Sequence, residues 1–289
     1  VLVNDLLLDA EGKKMSKSRG NIVEPFTTIE KYGADTVRFY LPYVSPVWTP
    51  LKFNEEGLKE VFSKFLNPLK NTYSFFQMYA NTDKIDTEDC VVPYALREEI
   101  DLWLLSKYNR LVKFVNEAFE EYDLNKVVKE IANFVSEDLS NWYIRRNRNR
   151  FWGSELDNSK KSVYVTTYEV LTDLSKLIAP IVPFVSEELY RNLTGKESVH
   201  LEDYPVYDEN LIDYVAMDIK NTFDKYEMTI GCKTNIDNIK KSVEVIESSN
   251  VDYEFRTTVV KELHTFDDIK GIVNMLDKKS KYYIQNFRN

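Results

Sequence analysis

From Asn54 onward, apolar residues return every three or four positions, the spacing of a helix that buries one face. Leu58, Phe62, Phe65, Leu69, Tyr73 and Phe76 define a first long helix, which Pro68 is expected to kink or split. A polar stretch from Asn81 to Pro93 interrupts the pattern. Ile100, Leu104, Tyr108, Leu111, Val115 and Phe119 then define a second helix. Val128, Ile131, Val135, Leu139 and Trp142 form the buried face of a third, with Asp123 or Asn125 as its cap. A fourth carries Val163, Thr167, Val170, Leu174 and Leu177 and stops at Ala179-Pro180. Pro183 to Leu193 reads as a fifth, closed by Gly195. The pattern predicts a mainly α fold built on an antiparallel helical bundle.

The flanks read differently. Residues 1–52 mix irregular chain with short elements: the apolar run Leu6 to Asp9, a turn through Gly12, and a basic, Ser-rich loop from Lys13 to Asn21. A helical segment follows Pro25, with Ile29, Tyr32, Val37 and Phe39 on its apolar side. Near residue 210 the period changes. Asp213 to Ile219, Tyr253 to Val260 and Lys281 to Phe287 read as strands. Helical runs of Ile236, Ile239, Val243 and Ile246, and of Ile269, Ile272, Val273 and Leu276, fall between them. That alternation predicts parallel βαβ units. Three parts are expected: 1–52, 53–209 and 210–289.

Composition narrows the classes. The 289 residues suit about two domains, and 43% hydrophobic content supports a core. Cys90 and Cys232 are the two cysteines, far apart and without a CxxC pair, and both read as plain thiols. That argues against a disulfide scaffold or a cysteine-held metal site; no metal ligand set is predicted. His200 and His264 read as surface or packing residues, and Glu98, Glu99 and Asp101 as a solvated helix start. No apolar run reaches the length of a membrane span, so a cytoplasmic chain without a membrane partner is expected. The net charge of −9 hides an uneven distribution: +1 over 1–52, −7 over 53–141, +4 over 142–162, −6 over 163–210 and −1 over 211–289. One basic island in an acidic protein suggests a polyanion contact.

The loop Gly12-Lys13-Lys14-Met15-Ser16-Lys17-Ser18-Arg19-Gly20-Asn21 packs four cations, two hydroxyls and two glycines into ten residues. Lysines are mobile point charges suited to phosphate oxygens, and serines add donors. Lys14 to Ser18 resembles the KMSKS signature of class I aminoacyl-tRNA synthetases. The likeness continues through Pro25, Lys31-Tyr32-Gly33-Ala34-Asp35 and Arg38. The resemblance implies a Rossmann-type catalytic domain of which residues 1–52 are the C-terminal end. It implies that Lys14, Met15, Ser16, Lys17 and Ser18 bind ATP, used with magnesium. Lys17, assisted by Lys14, would stabilise the departing pyrophosphate during amino-acid adenylation.

Val44-Ser45-Pro46-Val47-Trp48-Thr49-Pro50, Phe53 to Gly57 and Leu139 to Trp152 are similar to the isoleucyl branch of that class. The likeness covers about residues 1–209. It implies isoleucine tRNA as partner, with no DNA, and an anticodon-binding bundle. Arg145, Arg146, Arg148 and Arg150 supply forks for phosphates, while Trp142 and Trp152 offer faces for unstacked bases. Trp142 also falls on the apolar stripe and reads as core. An arginine here could equally pair with Glu137 or Asp138. Asn149 departs from the family, which commonly carries arginine there.

No HIGH-type or GxGxxG string is present. The chain opens immediately before the KMSKS loop, so by itself it is expected to be inactive, its missing partner being the N-terminal catalytic half. Val215 to Lys220, Asp252 to Val260 and Lys281 to Arg288 resemble the C-terminal part of radical-SAM proteins that activate anaerobic ribonucleotide reductase. That likeness implies a small βαβαβ partial-barrel remnant on whose inner side Arg256 could touch S-adenosylmethionine, although Arg256 reads first as a structural arginine of its strand. The cysteine motif such chemistry needs is missing, so the cofactor is not expected to be bound, and a join of two gene fragments is the simplest account. Besides a ligase fragment, a non-catalytic tRNA-binding module and a radical-SAM fragment stay open.

Overall fold

Each segment of strong helical period forms a helix in the computed structural model, which describes residues 5–85, 90–208, 214–248 and 252–286. The chain divides into two compact units, Val1–Asp208 and Glu209–Asn289. The expected change near residue 210, including Leu211 and Asp213, lies outside the described residues, as do Phe287 and Arg288.

In the first unit, β1 (Leu7–Leu8) pairs in parallel with β2 (Leu51–Lys52), and Lys14 bridges Leu8 from the other side. The single segment expected after Pro25 is two helices, α1 (Pro25–Tyr32) and α2 (Ala34–Val44). Gly33 separates them at φ +85°, a conformation that disfavours side chains. The Glu24 carboxylate accepts from Thr27 N at 3.0 Å and caps α1.

The bundle begins with α3 (Glu55–Val61), capped by Asn54 Oδ1 accepting from Glu56 N at 2.8 Å. It continues without a break into α4 (Asn67–Asp83) through a π-helical stretch, Phe62–Leu66. Pro68 therefore does not split the helix. Pro68 has no N–H to offer, and the chain widens one turn earlier, where Asn67 N donates to Phe62 O. Next come α5 (Glu99–Glu120) and α6 (Leu124–Asn133), the latter capped by Asp123 accepting from Lys126 N at 3.2 Å. A second π-helical stretch, Phe134–Ile144, leads into α7 (Arg145–Trp152). The long α8 (Asn158–Ile178) and α9 (Pro183–Thr194) complete the bundle, and Gly195 closes α9 at φ +68°.

The second π stretch changes which side chains are buried. Ile131, Val135, Leu139, Tyr143, Asn147 and Phe151 are all buried at a constant spacing of four. In an α-helix each such step drifts by about 40°, so the last of these would face away from the first. The wider π turn absorbs the drift. It also moves burial from Trp142, which the helical period placed in the core, to Tyr143. Trp142 is 47% exposed and Tyr143 is 0% exposed.

Helix α2 is fastened to the bundle at three polar points. The Asp35 carboxylate accepts from Val185 N at the start of α9 at 2.7 Å. Arg38 donates to Ile181 O at 2.9 Å and Pro180 O at 3.1 Å, beyond the end of α8. Asn125 Nδ2, on α6, donates to Pro42 O at 2.6 Å and Tyr43 O at 3.0 Å. Each contact meets a helix end with the charge or dipole it favours.

The second unit holds β3 (Tyr214–Asp218), α10 (Tyr226–Ile230), α11 (Ile236–Ser248), β4 (Asp252–Val259), α12 (Phe266–Met275) and β5 (Tyr282–Asn286). All strand pairs are parallel, and the order is β3-β4-β5. Ile219, Tyr226, Val243, Phe255 and Ile272 form its small core. The expected partial barrel is absent. Three strands in sequential order make a sheet open at both edges, neither closed nor curled; closure needs more strands at a fixed tilt and stagger. The described architecture is mainly helical bundle with this open sheet after it.

Candidate phosphate loop and nucleic-acid interface

The loop is built on Asp9. Its carboxylate, 8% exposed as a residue, accepts from Lys13 N at 2.6 Å and Asn21 Nδ2 at 2.7 Å. Hydrogen bonding by the Asn21 amide, followed by Lys13 N, holds the Asp9 carboxyl below its ordinary value. Asn21 in turn accepts from Ser16 N at 3.0 Å and donates to Lys14 O at 3.3 Å, fastening the chain on both sides of Met15. Lys17–Arg19 form one 3-10 turn that ends at Gly20, φ +67°. Ser16 Oγ and Ser18 Oγ lie 3.2 Å apart. The loop is thus closed at its base. The side chains of Lys13, Lys14, Lys17 and Arg19 make no ion pair among the described residues. Such a cluster can receive a polyphosphate.

The basic island divides. Arg145, Arg146 and Arg148 are exposed and without ion pairs among the described residues. The Arg146 guanidinium lies over the Trp142 ring, 4.5 Å from its centroid. Trp142 in turn packs on Trp103, centroids 6.2 Å apart, and Lys107 Nζ stands 5.7 Å from the Trp103 ring. Trp152 is 54% exposed at the end of the same helix. Trp103 and Lys107 were missed in the sequence because they sit on α5, about forty positions from the island.

Arg150 is turned inward. It donates to both Asp101 oxygens, at 2.8 and 2.7 Å, and to Ser159 Oγ at 2.9 Å. Tyr143 Oη donates to Asp101 Oδ1 at 2.6 Å, and Ser162 Oγ to Oδ2 at 2.5 Å. Burial, with the Asp101 carboxylate beside it, pushes the Tyr143 hydroxyl well above the ordinary phenol value. Asp101 is 0% exposed, so it is no part of a solvated helix start; it fixes α7 from inside. The acidic partners considered for the arginines are otherwise engaged: Asp138 with Lys107 at 3.6 Å, and Glu137 with Ser136 at 2.7 Å.

In the second unit Arg256 Nε is paired with the Glu254 carboxylate. An arginine engaged in this way does not fit the expected contact to S-adenosylmethionine. His264 is a packing residue there, its Nε2 2.7 Å from Lys220 O. Cys90 is buried and Cys232 exposed.

The helical bundle presents an arginine–tryptophan face, and the chain before it carries a cationic loop. The family model for the anticodon-binding domain of tRNA ligase matches residues 101–268, more than half of the chain, and the chain belongs to that family. The model for class I tRNA synthetases (I, L, M and V) matches residues 1–54. Isoleucine–tRNA ligase of Porphyromonas gingivalis is 39% identical over 94% of this chain and 25% of its own length. That of Bacteroides thetaiotaomicron is 48% identical over 74% of this chain and 19% of its own. The chain thus spans a quarter or less of these curated relatives.

Among solved structures, the LeuRS of Agrobacterium radiobacter K84, in a ternary complex with tRNA and LeuAMS, matches with a TM-score of 0.56 at 19% identity. It covers 74% of this chain and 25% of that one. Mycobacterium tuberculosis methionyl-tRNA synthetase matches with a TM-score of 0.54 at 21% identity, over 63% of this chain and 36% of that one. These two likenesses show the fold. The expected radical-SAM likeness of the tail finds no support in these matches: the family model runs to residue 268, and the Porphyromonas alignment takes in 94% of the chain.

The residues fit the polyphosphate of ATP, which the family uses. For magnesium, no group of three potential ligands stands together among the described residues, and none is assigned to it. No helix among the described residues is long and apolar enough to cross a membrane.

Proposed function

We propose that residues 1–209 are the loop-bearing end of the catalytic domain and the anticodon-binding bundle of an isoleucine–tRNA ligase. In this reading the triphosphate of ATP lies against Lys14 to Ser18. Lys17 and Lys14 meet the negative charge that grows on the departing pyrophosphate. Trp142, Arg145, Arg146, Arg148 and Trp152 meet the anticodon stem-loop of isoleucine tRNA, arginines on phosphates and indoles on unstacked bases. Arg150 holds their helix from behind. The observation that carries this is the exposed arginine face, without ion pairs among the described residues, with Arg146 stacked on Trp142.

Replacing Arg145, Arg146 and Arg148 together by alanine tests it. Filter binding of isoleucine tRNA is expected to weaken, and the slope of log K against log salt to flatten by about two to three units. Unchanged binding would remove the island from the account. With no HIGH-type motif among these residues, the chain alone is expected to give no ATP–pyrophosphate exchange; measurable exchange would refute that part.

A further inference from the structure

We propose that Lys52 is a fifth cation of the phosphate loop, a binding residue for the diphosphate group shared by ATP and pyrophosphate. This rests on the reading of the loop given above. Lys52 lies thirty-one positions beyond Asn21, outside the KMSKS sequence, and strand register brings it back.

Leu8 is paired with Lys52 on one side and bridged by Lys14 on the other. Residues in register across a sheet turn their side chains to the same face. Lys14 and Lys52 therefore rise on one face, with backbones about 10 Å apart, two strand spacings. Two four-carbon stems bridge that interval to a common anion.

The Lys52 side chain is already laid against the loop. A β-carbon built on Gly12 would sit 3.0 Å from Lys52 Cε and 3.5 Å from Nζ. Gly12, at φ +82°, turns the chain and leaves room for the lysine stem. The ammonium thus stands at the base of the loop, beside the turn that opens it.

The carboxylates that follow Lys52 closely in the chain are engaged elsewhere. Glu55 is held by Lys31 at 2.9 Å and by Tyr32 Oη at 2.7 Å, and Glu56 by Lys59 at 2.7 Å. Among the described residues Lys52 makes no ion pair. Lys52 thus joins four loop cations that likewise make no ion pair among the described residues, the Asp9 carboxylate at the loop's base being bonded to Lys13 N and Asn21 Nδ2. Holding like charges together costs free energy, and an anion relieves it.

The test is calorimetric titration of this chain with inorganic pyrophosphate, ATP and AMP. Lys52→Gln is expected to weaken pyrophosphate and ATP about fivefold, the effect of one unit charge at close range in water. It should make the affinity less sensitive to salt and leave the melting temperature unchanged. Lys52→Arg should restore affinity to within about twofold of wild type. AMP, which lacks the diphosphate, should bind both variants as it binds wild type. Lys17→Gln serves as the control for the loop itself. If Lys17→Gln weakens pyrophosphate and Lys52→Gln does not, the inference fails and the loop reading stands. If wild type does not bind pyrophosphate, or Lys17→Gln binds it equally well, the loop reading fails and takes the inference with it. An equal loss with AMP, or no rescue by arginine, also overturns the assignment.

Discussion

Gly57 shows how a single residue sets the packing of α3 on α2. A β-carbon there would lie 2.5 Å from Tyr40 Cε2. Tyr40 is wholly buried, and its hydroxyl accepts from Asn54 N at 2.8 Å where α3 begins, so the ring has nowhere to retreat. Gly57→Ala is expected to destabilise the protein by about 1–3 kcal/mol through overpacking. Urea unfolding would show it as a lower midpoint with an unchanged slope. Asp9 gives the complementary case, a charge. Its carboxyl is held below its ordinary 3.8, first by Asn21 and then by Lys13 N. A depressed carboxyl contributes stability that is complete above its unfolded value and lost as pH falls through the folded one. Protection of the Lys13 and Ser16 amides from hydrogen exchange should therefore hold down to about pH 4 and decline below it. In Asp9→Ala it should be low throughout, and constant protection in wild type down to pH 2 would contradict the account.

At the scale of elements, the helices of the bundle were legible because their apolar positions follow a three-and-four spacing that side-chain burial enforces. The exceptions have local causes. Pro68 breaks an α-helix by rule, yet the π stretch before it keeps α3 and α4 continuous. Trp142 belongs to the core on a 3.6-residue period, and the second π stretch turns it to solvent and Tyr143 inward. Arg150 looked like its neighbours because its partner, Asp101, stands 49 positions earlier on another helix. The loop itself was legible, since its cations are contiguous. Lys52 was not, since only strand pairing joins it to Lys14. In the tail, the strand–helix alternation was legible, but the pattern does not say whether a sheet curls. The Asp101–Arg150 pair offers a sharp test. Arg150→Met leaves a carboxylate at 0% exposure without its cation, at a cost of about 3–5 kcal/mol. Pairing it with Asp101→Leu should recover much of that loss in the melting temperature. Equal melting of the single and double variants would show that the ion pair is not what fixes α7.

For the whole molecule, the net charge of −9 describes no part of it, being an average over acidic helices and a basic island. The core of the first unit draws on residues from Phe39 to Leu189, all within Val1–Asp208. A chain ended at Asp208 is therefore expected to keep a cooperative thermal transition and the affinity for isoleucine tRNA proposed above. Loss of either, by calorimetry or filter binding, would show that the second unit is needed for them. The fastening of α2 has a further consequence, in time. Its partners are far along the chain: Arg38 bonds to a residue 143 positions away and Asp35 to one 150 positions away. At synthesis rates of roughly 5–20 residues per second, α2 leaves the ribosome about 7–30 s before the turn that locks it exists. Local helices form in about a microsecond, whereas such distant closures wait on the chain. Helix α2 is thus made well before the contacts that secure it can form.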